Sequence, residues 1–277
     1  MNFTTNDIVF LTRNEIDTVK WNNAVLNSKN GRIYATTNWL DAFAPNWEAL
    51  VLLNYKIIMP LPSFKKYGIK YLAQPPFTQQ LGLFASTKID EQTERNFIQK
   101  AVSIFKFAEI NINFDAAICD TQLKKNYILP LTQSYELISS KYSKSLKSNS
   151  LKPSKKRNFF YNCDLKIDLA IDMFKTLYQK KMNIADSSYL NLKTLAYKLA
   201  LKHQCFTRSV WLNEKLLAIN LYFNDGKRIY NIATASIPEY RKLNATDFLI
   251  DSLIQEFSNS GLTFDFEGSN IPGIEAF

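Results

Sequence analysis

The run from Arg228 to Ser269 limits what this chain can become more than any other, because it changes element type in a fixed order. Arg228-Ile-Tyr-Asn-Ile-Ala-Thr-Ala-Ser236 is rich in β-branched and aromatic residues and predicts a strand. Ile250, Leu253, Ile254 and Phe257 recur at i, i+3, i+4 and i+7, which predicts a helix over 246–260 with one apolar face. Asn244 stands at its N-cap, and Gly261 stands where a left-handed residue ends a helix. Residues 262–267 predict a second strand. A strand joined through a helix to another strand makes a crossover within one sheet, and the class is therefore α/β.

The loop inside this unit reads Arg241-Lys-Leu-Asn-Ala-Thr246. Two cations precede a helix N-terminus whose first N–H groups point outward, a ready site for phosphate. Arg241, Lys242, Asn244, Ala245 and Thr246 are the candidate residues for it. Asp247 opposes the reading by placing a carboxylate in the same first turn. The plain alternative is an ordinary helix start with solvated cations.

At 277 residues, 46% hydrophobic and 14% aromatic, the chain has apolar material for two ordinary domains. No apolar run approaches the roughly 18 residues of a membrane span. The start, Met1-Asn-Phe-Thr-Thr-Asn-Asp, lacks the basic-then-apolar layout of a secretory signal, so a cytoplasmic location is expected. Cys119, Cys163 and Cys205 form no C-x-x-C pair, and His203 is the only histidine. A disulfide framework, a zinc site and a His-rich metal centre are disfavoured, and no metal is expected.

The basic character is local. Lys141, Lys144, Lys147, Lys152, Lys155, Lys156 and Arg157 lie in one acid-free segment, and without these seven cations the net charge of +9 falls to +2. The segment, with five serines, reads either as a solvated connector over 141–160 or as a basic edge for a phosphorylated substrate or RNA. Lys155 and Arg157 are its candidate substrate contacts.

On either side the element order repeats. The first half predicts a helix over 17–28, a short strand near Ile33, a helix over 38–47, a hairpin turning at Asn54, a strand over 69–73, a helix from Asp90 and a strand over 109–117. The second predicts two helices, a hairpin turning at Asn213-Glu214 and the unit described first. Phe114-Asp115 and Phe264-Asp265 end corresponding strands 150 residues apart, so two copies of one α/β unit are expected. The domains are then 1–140, a linker at 141–160, and 161–277.

Three stretches carry a family resemblance. They are Tyr55-Lys-Ile-Ile-Met-Pro-Leu-Pro62, Tyr71-Leu-Ala-Gln-Pro-Pro-Phe-Thr-Gln-Gln-Leu-Gly-Leu-Phe84, and Thr263-Phe-Asp-Phe-Glu-Gly-Ser-Asn-Ile-Pro-Gly-Ile-Glu-Ala-Phe277. Together they resemble bacterial acyltransferases of the FemAB-like (peptidoglycan aminoacyltransferase-like) group of the GNAT superfamily, as does the loop with Arg241, Asn244 and Thr246. The resemblance implies two tandem GNAT-like domains with mixed sheets, the first degenerate and the second holding the acyl donor. It implies donor phosphates at Arg241, Asn244 and Thr246. Asp265, Glu267 and Ser269 would line a substrate cleft, with Gln79, Gln80 and Gly82 facing them from the first domain. Members of that group usually continue past the position of Phe277, so a shorter second sheet is expected here.

Acyl transfer to an amine requires a deprotonated amine, a polarised carbonyl and a leaving group. Glu267, then Asp265, are the candidate bases, and strict alternation puts them on one face. Backbone N–H groups of Ile232, Ala233 and Thr234 are candidates to hold the donor carbonyl. Tyr230 or Tyr240 is the candidate acid for the leaving group. Either carboxylate alone is equally readable as a partner for a nearby cation or backbone N–H. The expected donor is acyl-coenzyme A or an aminoacyl-tRNA, and the acceptor a small-molecule or cell-wall-precursor amine. The alternatives are a non-catalytic binding protein on a degenerate copy of the fold and, more distantly, an RNA-binding module.

Overall fold

The computed structural model describes residues 3–114 and 121–268, and the chain divides into Met1–Leu123 and Lys124–Phe277. The first unit contains, in order, β1 (Val9–Thr12), α1 (Thr18–Asn27), α2 (Thr37–Phe43), β2 (Glu48–Leu52), β3 (Ile57–Leu61), β4 (Ser63–Lys66), β5 (Ile69–Ala73), β6 (Phe84–Ala85), α3 (Glu91–Ile104) and β7 (Ala108–Glu109). Its strands form an antiparallel sheet, β1-β2-β3-β6, and a mixed one, β4-β5-β7. Asp17 and Asp90 cap α1 and α3 by accepting backbone N–H bonds in the first turn. Phe97, Ala101 and Phe105 of and just after α3 pack on Leu50, Leu52, Met59, Leu61 and Leu72.

Two strand expectations for this unit differ from the structure, and the helix expected over 38–47 ends at Phe43. The strand expected at Ile33 is a 3-10 turn, Ile33–Ala35. All three residues are buried and the Ala35 carbonyl accepts the Trp21 indole N–H at 2.7 Å, whereas a strand would send alternate side chains outward. The strand expected over 109–117 is reduced to Ala108–Glu109 and one parallel bridge, Leu81 to Ile112, because Asn111 and Asn113 spend their side chains on the preceding loop. Residues 115–117 lie outside those described.

The second unit is one six-stranded sheet ordered β8-β13-β12-β11-β10-β9. In chain order it runs β8 (Ile128–Pro130), α4 (Tyr135–Ser140), a π-helical turn (Leu146–Leu151), α5 (Lys152–Lys155), β9 (Phe160–Asn162), α6 (Ile167–Met182), α7 (Asp186–Ala200), β10 (Cys205–Leu212), β11 (Lys215–Asn224), β12 (Arg228–Ser236), a 3-10 turn (Pro238–Leu243), α8 (Ala245–Phe257) and β13 (Thr263–Asp265). The crossover read from the sequence is present: β12 and β13 pair in parallel, joined through α8. Central β11 is buried at seven successive residues, Leu217–Phe223, which requires cover on both faces. Helix α6 packs on β11 and β12, and α8 packs on β10 and β11. Leu249, Ile250, Leu253 and Ile254 of α8 meet Val210, Ala218, Tyr222 and Phe264, each large side chain contributing about 1.5–3 kcal/mol by burial.

The boundary lies earlier than 140 because β8 already pairs with β13. The basic stretch is folded into the second unit as the π turn and α5, which pack against α8, rather than running as a free connector. Its signal was the spacing of Tyr135, Ile138 and Tyr142 ahead of Leu146 and Leu151, an apolar stripe that the many lysines obscured.

Candidate functional site

The site candidates of the second unit gather around β12. This strand carries a β-bulge: Leu221 pairs with Ala233 and Tyr222 with Asn231, which leaves Ile232 as the extra residue. Bulges re-aim backbone groups and recur beside active sites. On the other edge, pairing with β13 runs only from Arg228 to Tyr230, while β12 continues to Ser236. Among the described residues, Asn231–Ser236 therefore has no strand partner on that side. The three residues expected to offer backbone N–H groups, Ile232, Ala233 and Thr234, sit on this bulged, half-paired edge. Asn220 of β11 donates to Tyr222 and to Asn231 at 2.9 and 3.1 Å, and its own Oδ1 is buried without a partner. Thr234 also donates to Asn231. This polar patch beside the bulge was not foreseen; asparagines inside otherwise apolar strands were its only trace.

Asp265 is fully buried at the end of β13. It accepts the Arg228 guanidinium at 2.5 Å, the Asn126 amide at 3.3 Å and the Glu267 N–H at 3.0 Å. Those three partners give it a structural occupation. The same N–H bond turns the chain, so Glu267 lies beyond the strand with φ of 65° and the alternation expected to put both carboxylates on one face stops at Asp265. Gly268 follows where a Cβ would come within 2.5 Å of the Lys125 carbonyl oxygen, so its glycine is needed for close approach. Ser269 lies outside the described residues. Tyr230 is buried and donates its hydroxyl to Asp225 at 2.6 Å, which ties up the proton proposed for a leaving group.

The turn before α8 takes a form the sequence did not disclose. Arg241 and Lys242 are exposed at the end of the 3-10 turn. Asn244 is left-handed, with φ of 58°, and provides no side-chain cap; its amide donates instead to the Asn149 carbonyl at 3.1 Å. Ser154 donates to the carbonyls of Leu243 and Asn244, and Ser150 donates to Asp247. The basic segment thus lies across this turn, flanking Ala245 and Thr246. Asp247, expected to repel a phosphate, serves as a docking acceptor. By register Asp265 is level with Tyr230, six residues before Ser236, so Asp265 and the turn are separated by roughly 20 Å along β12.

Burial raises the Asp247 carboxyl above its ordinary range, against a lowering by the Ser150 hydroxyl. A raised folded pKa means that the charge costs stability at neutral pH, and that the cost disappears as the carboxyl protonates. Asp247→Asn is therefore expected to melt a few degrees higher at about pH 7, with the gain fading towards the unfolded pKa near 3.8. Thermal melts across that range check it, and a lower melting temperature at neutral pH would refute it.

Lys155 is exposed and reaches down to buried Asp251 at 3.3 Å and to the Tyr135 hydroxyl at 3.3 Å. Tyr135 in turn donates to both Asp251 oxygens, at 2.8 and 2.9 Å. Burial lowers the Lys155 pKa, but the bond to Tyr135 and the Asp251 charge outweigh it and leave it raised. Arg157 is half-buried, with Nη1 buried and without a partner.

In the first unit, Gln79 and Gln80 are half-buried and bonded to each other at 2.6 Å, and the Gln79 carbonyl accepts the Asn111 amide. Gly82 has φ of 113°, and a Cβ there would lie 2.3 Å from Asn113 Oδ1, so packing alone demands the glycine. Among the described residues no three His, Cys, Asp or Glu side chains converge as metal ligands, and no helix is long and apolar enough to cross a membrane.

The second unit's site is thus carried by a crossover α/β sheet whose bulged strand leads through a basic turn into a helix. The comparisons specify it further. No family model and no curated protein matches the sequence. Among solved structures, the crystal structure of FemX is similar at a TM-score of 0.66 and 12% identity, over 95% of this chain and 92% of that one. A conserved protein of unknown function from Bacteroides thetaiotaomicron gives 0.59 at 10% identity, over 94% and 92%. The C-terminal domain of a putative lysylphosphatidylglycerol synthetase from Agrobacterium fabrum gives 0.52 at 12%, over 91% and 78%. The chain has the FemAB-like GNAT fold.

Proposed function

We propose that the protein is an N-acyltransferase, passing an acyl or aminoacyl group from acyl-coenzyme A or an aminoacyl-tRNA to an amine. The observation that carries this is the bulge at Ile232 on a strand whose outer edge is unpaired from Asn231 to Ser236. An elongated donor lying along that edge would meet the N–H groups of Ile232 to Thr234 with its carbonyl and the basic turn at Arg241 and Lys242 with its phosphates. The roughly 20 Å between Asp265 and the turn suits a donor with an extended arm better than a compact one. In the transfer, the amine nitrogen bonds to the carbonyl carbon, the C–S bond of a thioester or C–O bond of an ester breaks, and the leaving group takes up a proton.

The base is assigned to Glu267, the first of the two candidate carboxylates, which removes the proton from the attacking ammonium. Donor carbonyl charge is stabilised by the backbone amides. The acceptor is a small-molecule or cell-wall-precursor amine, and the reaction belongs to the cytoplasm, where both donors are made. The contacts of Asn149, Ser150 and Ser154 over the α8 turn favour the second reading, a non-catalytic binding protein on this fold.

Acetyl-coenzyme A separates the readings of the edge. A ligand at 100 times its Kd stabilises the folded state by about 2.7 kcal/mol, so the melting temperature should climb by several degrees. No shift at millimolar concentration would remove that donor. The same measurement with an aminoacyl-tRNA then decides whether the edge binds a donor at all.

A further inference from the structure

We infer that the second unit carries a phosphate-binding site that does not include Arg241 or Lys242, in the hollow walled by Tyr135, Tyr142, Lys147, Lys152, Lys155 and Lys156. The hollow has a volume of about 430 Å³, within the range that accepts a small ligand. Its construction follows from the π turn, in which the Lys152 N–H closes on the Lys147 carbonyl. The wider turn stands Lys147 above Lys152, and α5 adds Lys155 and Lys156 to the same rim.

The charges do not balance. Four lysines line the hollow with no carboxylate among its walls, and buried Asp251, which Lys155 reaches at 3.3 Å, offsets one of their charges. Asp247, one helical turn earlier, is occupied by Ser150 and is not a wall of the hollow. Lys147 donates to the Ser140 carbonyl, and Lys155 is held by Tyr135 and Asp251. Lys152 and Lys156 make no side-chain hydrogen bond or ion pair among the described residues, so two exposed cations are gathered beside two others with nothing to neutralise them. The Tyr142 hydroxyl, buried beside Asp251 without a well-formed hydrogen bond, is a further donor.

The donor set selects the ligand. Converging ammonium groups act as point charges around an oxyanion of any orientation, a role in which lysine recurrently binds phosphate. Four lysines around one hollow fit a ligand with more than one negative charge, such as a phosphate ester. Two sources share that chemistry, a free nucleotide-sized phosphate and the backbone of an RNA. The inference stands apart from acyl transfer, since none of these residues lies on the edge of β12.

The test is binding of pyrophosphate, AMP and a short single-stranded RNA to the full chain at low salt, compared between the wild type, Lys152→Glu/Lys156→Glu and Arg241→Ala/Lys242→Ala. Both lysines are exposed, so folding should survive, and melting curves verify it. The expected result is binding by the wild type that weakens with salt, falls by about tenfold or more on charge reversal, and survives the change at Arg241 and Lys242. RNA binding much tighter than AMP identifies a polynucleotide source, and equal affinities identify a small molecule. The inference is overturned by no binding at millimolar ligand, by a charge-reversed variant that binds like the wild type, or by succinate binding as tightly as pyrophosphate.

Discussion

Replacing Asp265 with alanine is expected to destabilise the second unit by about 3–5 kcal/mol, because it leaves a guanidinium without its partner in a dry position. Asp265 is fully buried, and Arg228 is only 14% exposed. The carboxylate also anchors the Asn126 amide and the Glu267 N–H, so its loss releases the chain at the end of β13. Arg228→Met together with Asp265→Leu should recover part of the loss, since an apolar pair of similar volume avoids the buried charge. Recovery should be incomplete, because neither leucine nor methionine accepts those two N–H bonds. Denaturant unfolding of the three variants measures this, monitored by a probe in the second unit, since two units need not unfold together. An alanine variant as stable as the wild type would show that the ion pair does not hold this end of the sheet.

The companion result concerns the neighbouring carboxylate. Glu267→Gln should lower turnover by about 10²–10⁴-fold, the usual contribution of a positioned base, while moving the melting temperature little. Glutamine keeps the length and hydrogen-bonding capacity of the side chain and the left-handed backbone remains, so the fold should survive the change. Donor consumption against a panel of primary amines provides the assay. Rates equal to the wild type would remove Glu267 as the base. A fall in activity accompanied by a fall in melting temperature would mean that the turn, and not the proton transfer, was damaged. The contrast with Asp265 separates the two roles: one carboxylate should act on stability and the other on rate.

Much of the fold was legible. The strand over Arg228–Ser236 has the bounds its composition predicts, and the crossover to β13 follows from the helical stripe between them. The hairpin at Asn213-Glu214 was legible because both residues take left-handed φ values, 46° and 65°, as a tight two-residue turn requires. Asp17 and Asp90 were visible as helix starts. The strand expected near Ile33 was misplaced because three consecutive buried residues carry no periodic signal. Asn244 was read as a cap, but its amide was drawn away by a carbonyl 95 positions earlier in the chain.

What the sequence determined by itself was local: which stretches form strands and helices, where the chain turns, and how strand, helix and strand must connect. Those follow from side-chain spacing and backbone preference, interactions that span a few residues. The tertiary structure alone decided how charge is used. It gave Asp265 to Arg228, laid the basic segment across α8, turned Asp247 into an acceptor for Ser150, and set four lysines around one hollow. Partners for buried charges come from anywhere in the chain, and burial fixes what each interaction is worth. Neither can be read until the sheet and its helices have closed.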